Sequence, residues 1–136
     1  MGVIVEMSNK HNLIRPVYPS SGSAGIRFFS QCDCYIEPLS FKAIGTGFRS
    51  ILDNGECGVL SIHSELFQKG LMGHNGIIDS DYANEIYFYV YNVTKKGIKI
   101  SKGDILGQMI VTKIEKANGV EEKFCERTGV FGRIGK

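Results

Sequence analysis

The sequence predicts an all-β domain, a sandwich or a closed barrel, carrying one short helix. Three observations lead there. The apolar runs are short and rich in β-branched and aromatic residues, turn signals part them about every 8–12 residues, and strands do not alternate with long helical patterns.

In chain order, "VIVEM" at 3–7 is the first strand-like run, and "PSSGSAG" at 19–25 is a turn cluster. "QCDCYIEPL" at 31–39 and "KAIGTGFRSIL" at 42–52 read as strands, closed by the turn "LDNGE". "CGVLSIH" at 57–63 is the next strand. Ser64–Lys69 breaks the β pattern: Ser64 is placed to cap, Glu65 lies in the first turn, Lys69 ends the segment and Gly70 follows it. That spacing predicts a helix of one or two turns. After the turn signal "HNG" come "EIYFYVYNVT" at 85–94, "GIKISKG" at 97–103 and "ILGQMIVTKIEKA" at 105–117, parted by "TKKG" and followed by "KANG". The domain is expected to span residues 1–122. The stretch "CERTGVFGRIGK" is Gly-rich, carries three cations and lacks either periodicity, so residues 123–136 are expected to form a flexible C-terminal arm that orders on something else.

A chain of 136 residues with 43% hydrophobic and 22% charged residues can bury a core without staples, which argues against disorder. The net charge of +2 is too small to mark a nucleic-acid surface, and no direct nucleic-acid partner is expected. No apolar run reaches the length of a membrane span and no signal-peptide pattern opens the chain, so the expectation is a soluble intracellular protein, cytoplasmic or nuclear. Cys32, Cys34, Cys57 and Cys125 lack paired metal-ligand spacing. They are expected to be reduced thiols acting as small hydrophobes, with Cys32 and Cys34 on one strand face.

The stretch "NGIIDSDYANEIYFYVYN" sets Asp79, Asp81 and Tyr82 just ahead of the most aromatic strand. Each residue has a plain reading. Asp79 suits a turn, because its side chain can bond its own backbone, and Tyr82 suits a half-buried strand end with a wet hydroxyl. Gln108 suits a solvated strand face, and Phe131 a packing anchor in the tail.

Five segments in order resemble the trimeric dUTPase family (deoxyuridine triphosphate nucleotidohydrolases). They are "GSAGIRFFS", "IHSELFQKGL", "GIIDSDYANEI", "KGDILGQMIV" and "TGVFGRIGK". The third is the most specific, and together the five cover nearly the whole chain. The resemblance implies a distorted jelly roll of the β-clip kind, a homotrimer, and pockets built from more than one subunit with the arm crossing to a neighbour. It implies a nucleoside slot at a β-hairpin around Leu71 to Tyr82, where Gly76, Ile77 and Ile78 read a pyrimidine edge and Tyr82 packs under the deoxyribose. Asp79 matches the acid that activates water against the α-phosphorus, and Phe131 the aromatic that closes over the base. Ser64 and Gln108 match phosphate contacts.

Departures gather where triphosphate and metal belong. Arg27 stands where the family has the acid that helps hold Mg²⁺ through waters, His63 replaces a phosphate-binding arginine, and Glu65 replaces a small residue. Arg133 and Ile134 replace a Ser-Thr pair, Arg127 falls one position late for the arm arginine, and Asn84 replaces a glycine. No protein metal ligand is assigned, and Arg27 in place of the acid argues against Mg²⁺. Two outcomes are open. Arg27, Arg127, Arg133 and Lys136 form a new cationic cradle and hydrolysis of dUTP to dUMP and diphosphate persists, or the chain is an impaired homologue that holds a nucleotide or a protein partner without turnover.

Overall fold

Residues 2–7 and 12–120, those described in a computed structural model, form eleven strands and one helix. The strands are β1 (Val3–Glu6), β2 (Ile26–Phe29), β3 (Cys34–Ile36), β4 (Phe41–Gly45), β5 (Phe48–Ile51), β6 (Glu56–Ile62), β7 (Leu71–Gly73), β8 (Gly76–Ile78), β9 (Tyr87–Asn92), β10 (Ile98–Ile100) and β11 (Ile105–Lys113). Helix α1 is Ser64–Lys69. All pairings are antiparallel, in the orders β2-β11-β6-β8, β4-β9-β7, β1-β5 and β10-β3. This is the all-β, jelly-roll-like fold with one short helix that the sequence predicts.

Period-two alternation explains how the two larger sheets meet. In β9 the odd residues Tyr87, Tyr89 and Tyr91 are exposed, while Phe88, Val90 and Asn92 are buried. In β11 Leu106 and Met109 are fully buried, and Leu60 of β6 and Phe28 of β2 join them beneath the sheet. Phe28 and Phe88 then close the layer between the sheets, with ring centroids 6.0 Å apart and planes tilted by 56°.

Several boundaries differ from the sequence reading. "KAIGTGFRSIL" is two strands, because Gly47 adopts φ 83° and Thr46 turns its hydroxyl onto the Ile86 carbonyl at 2.8 Å. The "GIRFF" run forms β2, whose partner lies eighty residues on in β11, a pairing no local pattern announces. At the helix, His63 rather than Ser64 is the N-cap residue, with extended φ −68° and ψ 139°, and Ser64 is the first helical residue. The cause is a tie to the sheet: the His63 N–H donates to the Leu106 carbonyl at 2.8 Å, while its own carbonyl takes the first helical bond from Leu66 at 3.0 Å. Gly70 ends the helix at φ 109°, as its position after Lys69 predicts.

Of the three described cysteines, all free, only Cys57 is buried. Cys32 lies before β3 in a bend held by the Ser30 hydroxyl, which donates to the Cys32 carbonyl at 2.7 Å, so Cys32 is exposed and the shared strand face is not formed. Burial, and then the neighbouring Cys32, push the Cys34 thiol above its usual range. No helix among the described residues is long and apolar enough to cross a membrane.

Asn92 is the polar keystone of the core. It is fully buried, its amide donates to the carbonyls of Ile36 at 3.1 Å and Lys96 at 2.7 Å, and its oxygen accepts from the Thr94 N–H and hydroxyl. Asn92→Ala strands these groups, and the expected loss is about 3 kcal/mol. A lowered denaturant midpoint with an unchanged slope checks it.

Candidate functional site

The Asp79 stretch is a rigid turn, not a loose loop. The Tyr82 N–H donates to the Asp79 carbonyl at 3.1 Å, closing the turn at the end of β8. The Tyr82 hydroxyl donates to the Glu85 carbonyl at 2.6 Å, and burial raises its pKa, so the phenol stays a donor at neutral pH. Glu85 and Ile86 are stapled in turn to the bend between β4 and β5. The Gly47 N–H donates to Glu85 Oε2 at 2.8 Å, and Ile86 exchanges backbone bonds with Thr46 and Phe48 at 3.1 and 2.8 Å. Asp79 itself is exposed at the head of this braced turn.

Beside the turn lies a cavity of about 180 Å³. Gly76, Ile77, Ile78 and Tyr82, the residues for which the sequence resemblance implies a nucleoside contact, are among those that line it. His74, Tyr87 and Tyr89 line it as well, and the sequence motifs do not single them out. Their signal is nonetheless present in "EIYFYVYN", where alternate tyrosines must share a face. The volume falls below the range of about 300–1,000 Å³ usual for whole drug-sized ligands, which suits one ring rather than a nucleoside triphosphate. β8 is an edge strand, so one row of its backbone donors and acceptors is open to such a ring.

The expected hairpin around Leu71 to Tyr82 is not self-paired. β7 pairs with β9 in one sheet and β8 with β6 in the other, with only His74 and Asn75 between them. The glycines explain the crossover. A Cβ on Gly73 would lie 2.8 Å from Ile62 Cβ, and one on Gly76 3.0 Å from Leu60 Cδ1, so both let the chain lie directly over β6.

A second cavity, about 300 Å³, opens over the four-stranded sheet. Register sets its floor. Gln108 of β11 stands opposite Arg27 of β2 on one side and Ser61 of β6 on the other, so the three project from one row and all line the cavity. His63 and Ser64 close it at the start of α1. Ser64, displaced from the cap by His63, lines this space as the first helical residue. His63 Nε2 lies 3.8 Å from Glu65 Oε1. Gln108 packs over Gly25, where a Cβ would come within 2.7 Å of Gln108 Oε1. Donors and one guanidinium dominate the lining, which is chemistry for an anion.

That lining offers Mg²⁺ a poor fit: it presents no carboxylate, and the fixed cation of Arg27 opposes a dication. The two cavities share no lining residue, and Asp79 lines neither. Phe131, Arg127 and Arg133 lie outside the described residues.

The all-β domain carries a ring-sized slot and a separate cavity lined by donors, and the comparisons give its class. Residues 11–132 match the family model described as dUTPase, and the chain belongs to the dUTPase family. It is 33% identical over 142 residues to a deoxyuridine 5'-triphosphate nucleotidohydrolase of Clostridium kluyveri, covering 99% of each chain. Against its counterpart from Paramecium bursaria Chlorella virus 1 it is 34% identical over 100 residues, covering 73% of this chain and 71% of the viral one. In fold it is similar to a dUTPase from phage phi11 of S. aureus, with a TM-score of 0.81 at 19% identity over 91% of this chain and 98% of that one. The dUTPase of EIAV gives a TM-score of 0.73 at 22% identity, covering 91% and 100%.

Proposed function

We propose that the chain is an active dUTP diphosphatase that converts dUTP to dUMP and diphosphate. The observation that carries this reading is the braced turn, which sets an unhindered carboxylate, Asp79, immediately after the strand that lines the ring-sized slot. Uracil lies along the open edge of β8 at Gly76, Ile77 and Ile78, and Tyr82 packs under the deoxyribose. Asp79 takes a proton from water as its oxygen bonds to the α-phosphorus, while the bond from that phosphorus to the bridging oxygen breaks and diphosphate leaves with the electron pair. Gln108, Ser64 and His63 donate to phosphate oxygens. Arg27, with Arg127, Arg133 and Lys136 of the C-terminal segment, supplies positive charge, and Phe131 covers the base.

The working unit is a homotrimer. In this reading, as in the trimeric dUTPases that the sequence resembles, a nucleotide seated in one slot extends its phosphates toward residues of a neighbouring copy. The arm, residues 123–136, completes the site of another subunit.

Diphosphate release tests the reading: dUTP yields dUMP and diphosphate, and dCTP and dTTP do not. A second reading is favoured by Arg27 and His63 in the anion cavity, where the family has an acid and an arginine. It is a homologue that captures dUTP without cleaving it. Tight dUTP binding with no diphosphate released would establish that alternative.

A further inference from the structure

The ring-sized slot has a wall that neither its backbone edge nor the Tyr82 contact accounts for. Tyr87 and Tyr89 project from the same face of β9, and their rings meet edge to face at 6.3 Å and 70°. His74 is fixed beside them, since its N–H donates to the Tyr89 carbonyl at 2.9 Å and its ring lies 5.8 Å from that of Tyr89, at 36°. Their cross-strand neighbours on β4 are small: Ala43 stands opposite Tyr89 and Gly45 opposite Tyr87. A Cβ on Gly45 would come within 3.3 Å of the Tyr87 ring, so this ring lies down on the sheet. The Tyr82 hydroxyl is close enough to those of Tyr89 and Tyr87 that both add to the rise in its pKa. Yet Tyr89 keeps 46% of its surface exposed while lining a cavity. A broad aromatic face at the mouth of a ring-sized cavity is a stacking platform for a planar heterocycle.

We propose that Tyr89, buttressed by His74 and Tyr87, stacks on the face of the pyrimidine and supplies much of the affinity for the base of a deoxyuridine nucleotide. This rests on the nucleoside-slot reading and adds a face contact to it. Stacking acts on the base alone, so it acts equally on ligands with and without phosphate. Selection among bases stays with the open edge of β8, because every base presents a π-face.

Calorimetric titration with deoxyuridine and with dUMP tests the proposal on the full-length protein. Tyr89→Leu is expected to weaken both by the same factor, about 5- to 150-fold, while Tyr89→Phe retains wild-type affinity. Tyr91→Leu, one step along the same face and outside the cavity, serves as the control for sheet integrity and is expected to bind as wild type. If the wild type binds both ligands and Tyr89→Leu binds them equally well, the stacking wall is overturned and the slot stands. A loss for dUMP but not for deoxyuridine overturns it too, since the residue would then act at the phosphate. Wild-type protein that binds neither ligand overturns the slot itself and the wall with it.

Discussion

Asp79→Asn is expected to lower kcat for dUTP by roughly 10²–10⁴-fold and to leave dUTP affinity unchanged. The substitution removes the side chain's basicity and charge and keeps its shape. The turn is closed by the Asp79 carbonyl, which accepts from the Tyr82 N–H, and asparagine keeps that carbonyl along with a strong preference for turns. The slot residues Gly76 to Ile78 and the bond from the Tyr82 hydroxyl to Glu85 are untouched. A structural role for Asp79 would predict the opposite division, with weakened binding and a lower melting temperature. Single-turnover measurement of diphosphate release separates the two, and a variant within tenfold of the wild-type rate would remove Asp79 from the chemistry.

What could be read from the sequence follows from how local each feature is. β9, whose burial alternates at every residue, and the longer strands β6 and β11 stand where their apolar runs predict. The helix is legible because Glu65, Lys69 and Gly70 sit at the right spacing, yet its cap is displaced by one residue. That displacement comes from a bond between His63 and Leu106, residues far apart in the chain. Long-range pairing explains the other differences. β2 depends on β11, and the Arg27–Gln108–Ser61 row depends on register across three strands, which no single segment encodes. The motif residues can be named one by one from the sequence. Their division into two cavities cannot, because it depends on which face each strand turns outward. Crossing of β7 and β8 into different sheets likewise follows from partners elsewhere, although Gly73 and Gly76 mark the place.

In the proposed mechanism, neutralisation of the phosphates turns on Arg27. Its backbone is pinned by paired bonds with Val17, at 2.7 and 3.1 Å, and its side chain lines the anion cavity beside Gln108. As part of a cationic cradle, Arg27→Ala is expected to reduce kcat/KM for dUTP by about 10²–10³-fold, since a preorganised charge facing the transferring phosphoryl group is lost. Deoxyuridine affinity stays the same, because the base slot shares no residue with this cavity. The dependence of dUTP binding on ionic strength becomes shallower in the variant, as removing a fixed charge from an anion site requires. Lysine keeps the charge and loses the planar fork, so Arg27→Lys falls between alanine and wild type. Arg27→Asp discriminates more sharply still. In the cradle it exchanges a cation for an anion beside a triphosphate, and its turnover must fall below that of Arg27→Ala. Where a lost metal site is the true deficit, the same substitution restores the family's acid, and turnover with Mg²⁺ rises above wild type. Cradle and lost metal site thus predict opposite signs for one variant, and a rise would remove the cradle from the mechanism.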